Sequence, residues 1–221
     1  VLRRPPLGHV QATAHDMARE YRVMSALSAT DVAVPRTFHL CNDVEVLGAP
    51  FYLMERVIGE VIQTEKQTSA LGTDRARMIS ENVIDTLVAL HACEPDQIGL
   101  SDFGRTEGFL ERQVSRWSKQ LEGSRSRDIA GIDELLNKLA TSIPSTKRNS
   151  IVHGDFRLDN CIIGANDEVA AVVDWEMATL GDSFTDLGLF VVYWDGLSKI
   201  VGNPVANGIK PEYGFPTAAD L

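Results

Sequence analysis

The stretch IVHGDFRLDN, residues 151–160, sets His153, Asp155, Arg157 and Asn160 directly behind a short apolar run. A loop that only turned the chain could use Gly, Asn or Ser. Acids and an amide at this spacing instead gather oxygen donors, the ligand type that suits Mg²⁺. Further on, VAAVVDWE brings Asp174 and Glu176 to the end of a second apolar run. NCIIG and VAAVVDWE flank the turn-rich GANDE, so the pair reads as a β-hairpin centred on Asp167. Symmetric pairing about that centre sets Asn160 opposite Asp174, with Asp155 on the loop that enters the hairpin. Three oxygen-bearing side chains then converge at one end of a short sheet. Mg²⁺ commonly binds through such a small protein set while keeping waters and taking phosphate oxygens.

A second charged residue stands on an apolar face. In TAHDMAREYRVMSAL, Met17, Tyr21, Met24 and Leu27 recur at helical spacing, so residues 13–28 read as a helix with one buried stripe. Glu20 falls on that stripe. A buried carboxylate needs a cation, and Arg3, in the preceding strand VLRR, is the natural partner, with Arg4 as the other candidate.

The elements that must position these groups are legible along the chain. VPRTFHLCND and APFYLMERVIGEVI read as strands around the turn DVEVLG, and the polar residues 64–74 read as a loop. RARMISENVIDTLVALHAC reads as a long helix with Ile79, Val83, Leu87 and Leu90 on one face. Two further amphipathic helices follow, with stripes Leu110, Val114, Trp117, Leu121 and Leu135, Leu136, Leu139, Ile143. Strand-like SIVHGD then leads into the hairpin. This is an α+β pattern: a small strand-rich N-terminal lobe, residues 1–57, precedes a mainly helical C-terminal lobe, residues 58–221, with the boundary near Glu55–Gly59. Both ends read as internal to a longer chain. The sequence opens inside a strand, and Thr217 and Asp220 have the spacing of a helix cap just before Leu221.

Composition excludes several function classes. A chain of 221 residues with 44% hydrophobic content can bury a real core. A formal charge of −10 and a pI of about 4.9 argue against nucleic-acid binding and against a basic membrane-surface role. Cys41, Cys93 and Cys161 are widely spaced, so reduced thiols and a cytoplasmic location are expected. The apolar run Leu187–Trp194 is too short to span a bilayer. Neither a G-x-S-x-G elbow nor a Cys/His zinc spacing occurs. His9, His15 and His39 lack ligand spacing, His91 is expected to stabilise the end of its helix, and Trp117 and Trp175 are expected to pack. Glu176 neighbours the candidate metal site.

These residues carry a resemblance. HGDFRLDN, VVDWE and GDSFTDLG resemble the catalytic loop, the second metal-binding segment and the buttressing segment of the aminoglycoside phosphotransferase family, which has a protein-kinase-like two-lobe fold. VLRRPP, REYRVM, PFYLMERVIGEVI, LERQVSRWSKQ and DWEMATLGD resemble a narrower branch, the kinase-like domains associated with acyl-CoA dehydrogenases. The resemblance implies ATP and Mg²⁺ as cofactors and a hydroxyl-bearing small molecule as acceptor, a hydroxylated metabolite or hydroxyacyl-CoA rather than an aminoglycoside.

Carried over residue by residue, it makes Asp155 the catalytic aspartate and Arg157 the cation beside the transferred phosphoryl group. Asn160 and Asp174 become the metal ligands. Arg3, where the family usually has Lys, grips the phosphates and is held by Glu20. Glu55, Arg56 and Val57 form the hinge whose backbone receives the adenine. His153 and Asp186 support the loop. The phosphate-covering turn that the family places before VLRR is not in the sequence, which keeps a nucleotide-binding pseudokinase as an alternative; a kinase-like module of a larger acyl-CoA enzyme is a further alternative that the family analogy alone suggests.

Overall fold

A computed structural model describes residues 1–6, 16–197, 200 and 208–221. The first lobe is a three-stranded antiparallel sheet, order β1–β3–β2, formed by β1 (Leu2–Arg3), β2 (Thr37–Cys41) and β3 (Phe51–Met54). Helix α1 (Met17–Leu27) packs on it. Its N-cap Asp16 accepts the Arg19 N–H at 3.0 Å, satisfying one of the free amides of the first turn. Met17, Val23, Met24 and Leu27 are buried along α1, and Glu20 is buried among them at 1% exposure. Residues 13–15 of the expected helix, and His9 and His15, lie outside the described residues. The expected turn DVEVLG contains a single helical turn, α2 (Val44–Leu47), started by Asp43 and ended by left-handed Gly48.

The segment expected as one strand from Phe51 onward is two. After Met54 the chain leaves the first sheet, and β4 (Glu60–Val61) joins a different one, order β4–β6–β7, with β6 (Cys161–Ile163) and β7 (Val169–Val172). Gly59 allows this close approach, since a Cβ there would sit 2.5 Å from the Ile163 carbonyl oxygen.

Residues 64–74, expected as a loop, hold α3 (Glu65–Leu71) and the start of α4 (Thr73–Ala92). Thr64 and Gln67 form a reciprocal capping box that starts α3, and the one buried residue of that helix is Thr68, so no apolar stripe announces it. Helix α4 is the spine of the second lobe, with Ile79, Val83, Leu87 and Leu90 at 0–3% exposure. Each such side chain contributes on the order of 2 kcal/mol by leaving water.

Helices α5 (Phe109–Ser124) and α6 (Ile132–Thr141) pair with each other. Their stripes are not buried as expected, because Trp117, Leu135 and Leu139 are 54%, 50% and 47% exposed. Strand β5 (Asn149–Val152) pairs antiparallel with β8 (Thr179–Asp182), a strand that the sequence pattern did not announce. Helix α7 (Phe184–Val191) follows and runs into a π-helical turn, Val192–Gly196.

Two arginines of α1 fasten it to the second lobe. Arg19 donates to the carbonyls of Ala178 (3.0 Å) and Phe103, and its guanidinium lies 3.9 Å from the Phe103 ring centroid. Arg22 donates to the Gly99 carbonyl at 2.8 Å and pairs with Asp102. The helix that carries Glu20 is therefore tied to both lobes. Among the described residues, no helix is long and apolar enough to cross a membrane.

Candidate active site

The catalytic-type loop between β5 and β6 is built around buried His153 and Asp186. Asp186, on the first turn of α7 and fully buried, accepts the backbone N–H groups of His153 and Gly154, each at 2.8 Å. A carboxylate shared by two amides holds the loop in one shape. His91, at the end of α4, reaches the same carboxylate at 3.1 Å. His91 lies in the last turn of α4, as expected, and from there also braces the loop through Asp186.

The His153 ring takes part from the other side, since the Asp155 N–H donates to Nδ1 at 3.2 Å. Nε2 then carries the proton and donates to the Val173 carbonyl at 3.0 Å. Burial pushes the imidazole pKa down, against the pull of Asp186, and favours this neutral tautomer. Gly154 is required, with φ +85° and a position where a Cβ would lie 2.8 Å from the Met177 carbonyl oxygen.

The loop delivers Asp155 to the hairpin. Asn160 donates its amide to the Asp155 backbone carbonyl (2.8 Å) and to its carboxylate (3.1 Å), which leaves the Asn160 side-chain oxygen turned away from Asp155. Asn160 does not stand opposite Asp174. The turn centres on Asn166, with the Gly164 N–H donating to the Glu168 carbonyl at 2.9 Å, and a bulge between Ile162 and Ile163 recovers only part of the difference, so Cys161 pairs with Val172 and the Val173 N–H donates to the Asn160 carbonyl at 2.9 Å. Asp174 sits one position past the pairing, in the left-handed region at φ 67°. Asp tolerates that conformation better than most residues, and its cost is one that site residues commonly carry.

Arg3 joins the two lobes at this point. Its guanidinium lies 3.4 Å from Glu20, 3.3 Å from Asp174 and 3.8 Å from Glu176. Tyr52 adds a hydrogen bond to Glu20 at 2.9 Å. Burial raises the Glu20 pKa, with Arg3 and Tyr52 opposing it. For Arg3 burial works against the charge, yet Glu20, Tyr52, Asp174 and Glu176 outweigh it and hold the pKa above its ordinary value. Tyr52 and Glu176 were not named as partners from sequence. A buried tyrosine on β3 facing a buried acid would have been the available signal for the first.

Arg157 lies 3.5 Å from Asp155 and 3.6 Å from Asp159, and its guanidinium faces the Tyr193 ring at 5.1 Å. Burial raises the Asp159 pKa against Arg157. At the hinge, the Glu55 N–H is taken up by the Arg36 carbonyl at 2.8 Å. Among the described residues the N–H groups of Arg56 and Val57 have no backbone partner. Trp175 is buried and donates to the Val172 carbonyl.

The model of the phosphotransferase enzyme family matches residues 1–216. The chain belongs to that family. Among curated relatives it is 37% identical to acyl-CoA dehydrogenase family member 10 of Mus musculus over 225 residues, covering 100% of this chain and 21% of that protein. It is 35% identical to acyl-CoA dehydrogenase family member 11 of Gallus gallus, covering 100% of this chain and 29% of that protein. The phosphotransferase chain thus spans well under a third of either relative.

A crystal structure from Ralstonia eutropha JMP134, provisionally described as an aminoglycoside phosphotransferase, superposes with a TM-score of 0.84 at 33% identity. That match covers 99% of this chain and 64% of the other. The streptomycin–ATP–APH(2")-IIa ternary complex superposes with a TM-score of 0.62 at 17% identity, covering 97% and 76%, and so shares the fold. The α+β, two-lobe, protein-kinase-like architecture is that of the phosphotransferase family.

Proposed function

We propose that the chain is an ATP- and Mg²⁺-dependent phosphotransferase that moves the γ-phosphoryl group to a hydroxyl of a small molecule. One observation carries this reading: Arg3 is shared between Glu20 of the first lobe and Asp174 of the second, beside the Asp155–Asn160 loop. ATP use is supported by the family and by the ATP present in one structural relative. Mg²⁺ is supported by the donor chemistry, oxygen from Asp174 and from the side-chain carbonyl of Asn160. Asp174 and Asn160 would hold the metal, which when bound would offset phosphate charge.

The residues of this chain then divide the work. Asp155 orients the acceptor hydroxyl and takes its proton as the new oxygen–phosphorus bond forms and the bond to the leaving ADP oxygen breaks. Arg157 lies where it can neutralise charge on the moving phosphoryl group. Arg3 grips the phosphates, and Arg is well suited to that as a fixed, bidentate cation. Arg56 and Val57 offer the free hinge amides to adenine, with Glu55 anchoring the hinge to Arg36. His153 and Asp186 keep the loop in register.

The acceptor we favour is a hydroxylated metabolite, with a hydroxyacyl-CoA ahead of an aminoglycoside. Helices α5 and α6 enclose a groove of about 360 Å³ lined by Leu110, Val114, Trp117 and Leu139, whose polar members Gln113, Ser142 and Thr185 are uncharged. A polycationic sugar seated in that groove would meet no acid among its lining residues. The names of the longer relatives favour a related reading, in which the chain is the kinase-like module of a larger acyl-CoA enzyme. The three free thiols suit a reducing, cytoplasmic setting.

The test is a phosphorylation assay with the full-length parent protein, Mg²⁺ and ATP, against aminoglycosides and hydroxyacyl-CoA thioesters. Phosphorylated thioester is the expected product. Transfer only to aminoglycosides would overturn the acceptor assignment, and tight ATP binding with no transfer to either would favour the pseudokinase.

A further inference from the structure

Arg19 stands next to Glu20 on α1 and reaches into the second lobe. Consecutive helix residues lie about 100° apart around the axis, so one turn of α1 holds Arg3 through Glu20 and the second lobe through Arg19. The Arg19 guanidinium donates to the Ala178 carbonyl from Nη2 at 3.0 Å and from Nε at 3.3 Å, and also to the Phe103 carbonyl. Ala178 closes the 3₁₀ turn Trp175–Met177 that directly follows Asp174, with its N–H on the Trp175 carbonyl at 3.1 Å. Buried Trp175 in turn donates its indole N–H to the Val172 carbonyl at 2.9 Å. The segment that begins with left-handed Asp174 is thus pinned twice, to the hairpin by Trp175 and to α1 by Arg19. The catalytic-type loop leans on the same segment, because Gly154 comes so near the Met177 carbonyl that a Cβ would lie 2.8 Å from its oxygen.

We propose that Arg19 is a positioning residue of the metal–nucleotide site, which fixes Asp174 relative to Glu20 and Arg3 by holding the Ala178 carbonyl against α1. This rests on the reading of Asp174 as a metal ligand and Arg3 as the phosphate grip. Arg3 and Asp174 touch each other at 3.3 Å, but that contact cannot keep the two lobes in register while both side chains turn to Mg²⁺–ATP. Arg19 donates to backbone carbonyls alone in these contacts, so its hold survives the exchange. Removing a group that fixes a metal ligand from behind typically changes metal affinity by about 10–100-fold.

The experiment needs no knowledge of the acceptor. ATP affinity is measured by calorimetry at zero and saturating Mg²⁺ on the full-length protein, in wild type, Arg19→Met, Arg19→Lys and Arg22→Met. Arg22 is the control, since it ties the same helix to the second lobe through Gly99 and Asp102 rather than through residues 174–178. Mg²⁺ should tighten ATP binding in wild type, and Arg19→Met should cut that gain by about tenfold, with metal-free ATP affinity close to wild type. Arg19→Lys keeps a charged donor but loses the fork, so it should restore part of the gain. Arg22→Met should keep the gain within about twofold, whatever it does to the melting temperature, because its pair is exposed. A full gain in Arg19→Met, or an equal loss in Arg22→Met, overturns the inference. If Arg19→Met does not fold, Arg19→Lys decides: a gain reduced by at least about twofold supports the inference and a wild-type gain overturns it. Wild-type affinity that ignores Mg²⁺ would be the failure of the proposed metal site, and would take the inference with it. A metal-dependent wild type matched by Arg19→Met is the failure of Arg19 alone.

Discussion

Asp186 holds the catalytic-type loop from beneath by accepting the backbone N–H of His153 at 2.8 Å, with the neighbouring Gly154 N–H on its second oxygen at the same distance. The carboxylate is fully buried, and its third partner is His91. Asp186→Asn replaces one acceptor oxygen with an amide that must face a donor. The expected result is a loss of about 2–4 kcal/mol in urea unfolding, because buried donors are left unpaired. His91→Ala should cost less, since both backbone bonds survive. Equal losses in the two variants would mean that His91, not the amide pair, carries the buttress.

Glu20 and Arg3 meet at 3.4 Å, but neither depends on the other alone. Tyr52 supports Glu20, while Asp174 and Glu176 support Arg3, and Arg3 is 36% exposed. Solvent screening on the Arg3 side reduces the coupling to about 1–2 kcal/mol, below that of a fully buried pair. A double-mutant cycle with Glu20→Gln and Arg3→Met, read by thermal unfolding, should return that value. Glu20→Gln should also weaken ATP binding in calorimetry. Additive effects would show that the pair is only a neighbourly contact.

Asp174→Ala should make ATP affinity indifferent to Mg²⁺, with the affinity measured by calorimetry at saturating and zero metal. Glu176 shares the Arg3 contact at 3.8 Å and is a nearby acid able to substitute. Metal dependence that survives Asp174→Ala and disappears only when Glu176 is also removed would transfer the ligand role to Glu176.

The hairpin shows where sequence reasoning reached and where it stopped. Strand patterning and one turn bring Asp155 and Asn160 to one end of the hairpin, as their hydrogen bonds show, yet the facing relation of Asn160 to Asp174 came out one residue off. The turn is centred on Asn166 rather than on Asp167, and the polar run GANDE does not mark which of its residues is the centre. Helix α3 was missed for a different reason. Its Thr64-x-x-Gln67 cap was present, but its burial rests on Thr68 rather than on an apolar stripe. Strand β8, with the sequence TLGD, lacks alternation and is defined by its partner β5. The pairs His91–Asp186 and Arg157–Tyr193 join residues far apart in sequence, and local spacing cannot register them. By contrast, Glu20 on its stripe was legible because a charge breaks an otherwise apolar pattern.

The C-terminal residues are tied to α3 through Glu65, which lies 2.5 Å from Lys210 and accepts the Tyr213 hydroxyl at 2.7 Å. These partners, Lys210 first, hold the Glu65 carboxyl below its ordinary range. A depressed carboxylate contributes stability above its unfolded pKa and loses it as pH falls through the folded one. Acidification below the ordinary carboxylate range should therefore loosen residues 208–221. Trp194, whose indole donates to the Pro216 carbonyl at 2.9 Å, reports this by fluorescence. Glu65→Gln should remove that transition, and an unchanged acid transition in the variant would assign it to another group.

The central claim is that Asp155 serves phosphoryl transfer, and Asp155→Asn in the full-length protein tests it most directly. Transfer from Mg²⁺–ATP to the acceptor identified by screening should fall by about 10²-fold or more, since the acceptor loses its orienting base. ATP affinity by calorimetry should stay close to wild type, because Arg3, Asn160 and Asp174 remain. Transfer at the wild-type rate in Asp155→Asn would contradict the claim.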